Sequence, residues 1–146
     1  MKPLEDLIAR LRVFEAEMIR VIEEVVREHD YIILDMNAED QLFERGINRE
    51  GIVIADYAPY APFTIEIKKL KGQPTTRVTL RDEGDFHSSF FIDFQDGGFQ
   101  IKASDWKANK LMFEYGDEIL GLTDSNFKEF ADYYVKPALT KLLKQL

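Results

Sequence analysis

Cysteine is absent from the 146 residues, which excludes disulfides, thiolate metal ligands, cysteine nucleophiles and thiol redox chemistry together. Histidine occurs only twice, as His29 and His87, so imidazole-based acid–base or metal chemistry has few places to reside. Long apolar runs are missing too. Tyr31-Ile32-Ile33-Leu34 and Phe90-Phe91-Ile92 are far shorter than the roughly 20 residues of a membrane-spanning helix, so no membrane partner is expected. The start, Met1-Lys2-Pro3-Leu4, leads directly into a charged amphipathic pattern and lacks an apolar leader, so the chain is expected to stay in the cytoplasm where it is made. Basic charge is scarce: 27 acidic against 19 basic residues give a formal charge of −8, which works against general affinity for nucleic acid.

What is present is enough for one continuous core, with 45% apolar and 12% aromatic residues, and a single domain over 1–146 is expected. Leu4, Leu7, Leu11, Phe14, Met18, Val21 and Val25 recur in alternating steps of three and four, which predicts a helix from about Pro3 to His29. The same stripe is a regular heptad over three repeats. It therefore fits two uses, docking on its own domain, which is the reading adopted, or a coiled-coil seam. Asn37, Asp40 and Gln41-Leu42-Phe43-Glu44 followed by Gly46 read as a capped short helix. Ile52-Val53-Ile54 is a β-type run, and Tyr57-Ala58-Pro59-Tyr60-Ala61-Pro62 is a loop by its two prolines. Residues 63–71 match either period. A helix is favoured, because Pro62 suits a first position, Lys68, Lys69 and Lys71 suit a helix C-terminus, and Gly72 suits a stop.

Phe90-Phe91-Ile92-Asp93-Phe94 and Phe99-Gln100-Ile101-Lys102-Ala103 alternate apolar and polar around Asp96-Gly97, which predicts a hairpin whose two turn residues tolerate positive φ. Val78-Thr79-Leu80 is expected to add a third strand. A short helix is expected over Trp106 to Phe113. A last one starts at Thr123 or Asp124 and turns Phe127, Phe130, Tyr134, Ala138, Leu142 and Leu146 toward the core. Pro137 predicts a kink or break near 133–137. The fold class is thus α+β: long N- and C-terminal helices packed on a small antiparallel sheet containing a central hairpin.

No stretch predicts a catalytic site, a metal site or a bound cofactor. Asp82, Asp85 and His87 gather ligand-type side chains, yet a tight turn at Gly84, with Asp85 capping the next turn and the polar groups solvated, is the simpler account and the one adopted. His29 reads as a favourable charge at a helix C-terminus. Ser88-Ser89 has no nucleophile-elbow glycines, and no glycine cluster matches a phosphate-binding loop. The candidate interaction residues are the basic stretch Lys68, Lys69, Lys71, Arg77 and Arg81, with five cations and no acid, joined by Tyr57 and Tyr60 and by Trp106, which suits an interface anchor and a core position equally. These cations suit an acidic protein surface, including another copy of this acidic chain. The alternative is an accessory nucleic-acid-binding role for 68–81, with the tyrosines stacking on bases.

Three stretches resemble the small tail-completion, neck and minor-tail morphogenesis proteins of tailed bacteriophages. Val78-Thr79-Leu80-Arg81-Asp82-Glu83-Gly84-Asp85-Phe86-His87-Ser88-Ser89-Phe90 is similar to the pattern before their central hairpin, with Glu83 standing where threonine is usual. Glu114-Tyr115-Gly116 and Ile119-Leu120-Gly121-Leu122-Thr123, leading into a terminal helix, resemble their C-terminal half, although Glu118-Ile119 replaces the arginine often found there. Gln41-Leu42-Phe43 with Gly46 also fits. The resemblance implies a phage or prophage structural protein that self-associates, joins other tail or neck proteins, and resides in the virion once assembled.

Overall fold

The computed structural model describes residues 2–145. The chain divides into two compact units, one formed by Met1–Asp30 with Lys128–Leu146 and the other by Tyr31–Phe127. The expected α+β class is observed, with long helices at both ends and a two-stranded antiparallel sheet.

The first unit is helical. Helix α1 spans Lys2–Glu28, about 40 Å at 1.5 Å per residue, close to the bounds that the periodicity predicts. Its second half packs against a π-helical segment, Ala131–Val135, and against α7, Lys136–Lys144. His29 lies one residue past the helix and stacks on Tyr134, with ring centroids 4.4 Å apart. Pro137 explains the π-helical segment. A proline has no N–H to donate and its ring crowds the preceding turn; here the turn widens to i→i+5 bonding, with Lys136 N–H reaching Ala131, so that Pro137 falls in the first turn of α7. The expected break is therefore a widening of the helix. Of the C-terminal side chains expected inside, Phe130 is buried, Tyr134, Ala138 and Leu142 are half-buried, and Leu146 lies outside the described residues.

The second unit begins with α2, Asp30–Asp35, which continues into a nine-residue π-helical stretch, Met36–Glu44. Asn37 does not cap this helix, contrary to expectation. It lies inside it, fully buried, because its amide is used for tertiary hydrogen bonds. The β-type run 52–54 forms a single bridge, Ile47 to Val53, before a 3₁₀ turn over Ile54–Asp56. Helix α3, Pro62–Leu70, has Pro62 in its first turn and is followed by Gly72 at φ +71°, as the helical reading of 63–71 requires. A short turn of helix, α4, covers Asp85–Ser88.

The hairpin pairs β1, Phe90–Gln95, with β2, Gly98–Ala103. One face carries Phe90 opposite Ala103, Ile92 opposite Ile101 and Phe94 opposite Phe99. The other carries the Asp93–Lys102 ion pair at 2.8 Å. Of the two turn residues that tolerate positive φ, Gly97 alone takes it, at +80°. Helix α5 spans Ala108–Tyr115, so Trp106 precedes it, and α6 spans Asp124–Phe130. Thr123 caps α6 as expected, its Oγ1 accepting the Asn126 N–H at 3.1 Å. Phe127, assigned to the core by its spacing, is 54% exposed, and Asn126 occupies the inward position.

Candidate interaction surfaces

The expected third strand at Val78–Leu80 is absent, because its backbone bonds to side chains instead of to a neighbouring strand. The Tyr60 hydroxyl accepts from Thr79 N–H at 3.0 Å and from Leu80 N–H at 3.3 Å. His87 Nε2–H donates to the Thr79 carbonyl at 3.0 Å, and Thr79 Oγ1 accepts from Arg81 N–H at 3.2 Å. Lys68 Nζ donates to the Arg81 carbonyl at 3.1 Å, while Gln73 Nε2 donates to that of Asp82 at 2.9 Å. A buried backbone must be paired somewhere, and side chains do so here without a ladder. The resulting curl sets Leu80 at φ +55°, in the left-handed region far from the extended backbone of a strand.

This arrangement also decides the roles of the basic stretch. Lys68 is buried, shared between Gln73 and the Arg81 carbonyl, with its ammonium 4.9 Å from the Tyr60 ring. Lys71 pairs with Asp82 at 2.9 Å and holds that carboxyl below the usual carboxylate range. Arg77 donates to the Phe43 carbonyl, and Arg81 pairs with Glu39 at 3.2 Å. Both guanidiniums lie over the Phe43 ring. Lys69 is exposed with no partner among the described residues. Of the tyrosines, Tyr60 is the acceptor just described, and Tyr57 donates to the Tyr115 carbonyl at 2.7 Å.

Burial of the His87 imidazole pushes its pKa down to about 4, despite the Thr79 carbonyl that favours the charged form. The ring is therefore neutral at pH 7, engaged at Nε2 and flanked by Phe86 and Phe90. Asp82 turns to Lys71 and Gln73, so the grouping Asp82, Asp85 and His87 does not converge. Among the described residues no cluster of three or more His, Asp or Glu is placed to hold a metal ion.

A second irregular segment, 119–123, is held in the same way by residues that sequence reasoning missed. Asn37 donates to the Ile119 carbonyl and accepts from Gly121 N–H, both at 2.9 Å. Gln41 donates to the Gly121 carbonyl at 2.8 Å and accepts from Thr123 N–H at 2.9 Å. Arg49 donates to the Leu120 carbonyl, and Asn126 donates to both Gln41 and Asp40. Two amides four residues apart on one helix act as a ladder rung each. The available signal was that Asn37 and Gln41 interrupt a segment flanked by apolar residues.

No protein-family model, curated protein or solved structure matches the chain.

Beside these engaged polar groups, the surface carries large exposed apolar side chains. Leu4, Leu7 and Leu11 are each more than half exposed, Ile8 nearly so, and every residue from 2 to 13 is open to solvent. Helix α3 is inverted: Lys68 points inward, while Phe63, Ile67 and Leu70 form an outward stripe in which Leu70 is 89% exposed. Trp106 is 83% exposed, with Lys107 over its ring, and Phe113 is 92% exposed. A cleft of about 200 Å³ lies between Lys68 of α3, the 80–85 loop and Leu111 and Tyr115 of α5. No helix among the described residues is long and apolar enough to cross a membrane.

Proposed function

We propose that this chain is a non-enzymatic assembly protein of a tailed phage or prophage, a tail-completion, neck or minor-tail component that works by oligomerisation and docking. The observation that carries the reading is the pattern of exposure. Large apolar side chains stand in solvent along one stripe of α1 and one stripe of α3, where a self-contained helix would present charge. The resemblance of 78–90 and 114–123 to phage morphogenesis proteins supplies the class of assembly. Four of the five cations in the basic stretch are bound within the fold, so a nucleic-acid phosphate would compete with Glu39, Asp82 or a backbone carbonyl for them.

Light scattering over a concentration series at moderate salt, combined with pull-down by tail-tube and neck proteins, tests the reading. Concentration-dependent growth in mass, or capture by those proteins, is expected. A chain that stays monomeric throughout and binds none of them refutes it, and salt-sensitive DNA retention lost in Lys69→Glu would favour nucleic-acid binding instead.

A further inference from the structure

We infer that the exposed first half of α1 pairs in parallel with the same segment of a second copy of this chain. The inference rests on the assembly reading above and names its partner. Within the first unit the heptad stripe is used unevenly: Val21 and Ile22 are half-buried and Val25 is buried, while Leu4, Leu7 and Leu11 are open. The C-terminal half of the seam is thus covered within the chain, and residues 2–13 are left as a bare amphipathic helix ending at the half-buried Phe14.

The charges beside the seam select both partner and direction. With Leu4 and Leu11 at the first apolar position of the heptad and Leu7 and Phe14 at the second, Ile8 and Glu15 flank one side and Pro3 and Arg10 the other. In a parallel pair each residue on the Pro3 and Arg10 side meets the one five positions on in its partner. Arg10 then faces Glu15 of the second copy, twice by symmetry, and Pro3 faces Ile8. An antiparallel pair in which Leu4 layers on Phe14 would instead set Arg10 against Arg10. Arg10 and Glu15 are both exposed, so each is available across the seam. A helix face that is self-complementary in charge and apolar along its centre fits a second copy of itself.

The absence of native cysteine gives a clean test in the full-length chain. Leu4→Cys should form an intermolecular disulfide under mild oxidation, since equivalent positions face each other in a parallel pair, whereas Ala9→Cys, on the outer face, should not. An antiparallel pair separates the two introduced thiols by about 15 Å along the axis. Arg10→Glu should weaken self-association by roughly fivefold to tenfold in sedimentation equilibrium, and Arg10→Glu with Glu15→Arg should restore it. Because these residues are exposed, the variants fold, which circular dichroism verifies. Self-association that ignores both charge changes, without a disulfide at position 4, overturns the pairing and leaves the assembly reading intact. A strict monomer overturns the pairing, and overturns the wider reading only if tail and neck proteins are also ignored.

Discussion

The Tyr60 hydroxyl accepts from two buried amides, so its value is set by what it leaves behind. Tyr60→Phe keeps the ring over Lys68 but strands the Thr79 and Leu80 N–H groups, and should cost about 2 to 3 kcal/mol in urea unfolding. His87 carries a pH dependence whose direction follows from linkage. Its pKa falls from 6.5 in the unfolded chain to about 4 in the fold, so between those values only the unfolded chain takes up the proton. Stability from this group is complete above pH 6.5 and is lost as the pH drops toward 4, a swing of about 3 kcal/mol. His87→Gln keeps a donor for the Thr79 carbonyl and removes the titration. Its urea midpoint should fall less than that of the parent between pH 7 and pH 4; equal falls would contradict the assignment.

At the level of elements, two glycines separate the cost of backbone conformation from the cost of close packing. Gly97 sits at φ +80° with nothing within 4 Å of the place an added methyl would take, so Gly97→Ala should cost only the left-handed strain, about 1 kcal/mol. Gly46, at φ +60°, would place a Cβ 2.9 Å from Arg77 Cβ and 3.2 Å from the Val78 carbonyl, and Gly46→Ala should cost about 3 kcal/mol in the same assay. Elements with purely local signals were legible in the sequence: the three–four spacing of α1, Pro62 and Gly72 around α3, the alternation on both sides of Asp96-Gly97, and the Thr123 cap. Val78-Thr79-Leu80 misleads because its residues are good strand formers, and burial alone does not say whether a strand or a set of side chains satisfies the backbone. Their actual partners, Tyr60 and His87, are 8 to 20 positions away along the chain. The amides of Asn37 and Gln41 act across about 80 residues, a distance at which single-chain periodicity carries no information.

For the molecule as a whole, the sequence revealed which face of α1 is apolar but not how far along that face the chain would cover itself. The basic stretch was legible as a charge cluster, whereas its engagement by Asp82, Glu39 and backbone carbonyls was not, since a cation's partner is fixed only by the fold. The net charge of −8 also bears on assembly: copies repel at low ionic strength, so added salt should first favour association by screening that repulsion, even while it weakens the Arg10–Glu15 contact. Sedimentation equilibrium across a salt series checks this.

Holding irregular backbone with side chains reverses the usual order of vulnerability to proteases. Arg77 and Arg81 sit in a stretch without helix or strand, yet its carbonyls and amides are tied to Tyr60, Lys68, Gln73 and His87. Arg10 and Arg12 belong to regular helix whose surrounding residues are all exposed. At a concentration low enough to keep the chain monomeric, brief trypsin digestion followed by mass spectrometry should find the first cut after Arg10 or Arg12, with the loop peptide at 77–81 intact until the protein unfolds.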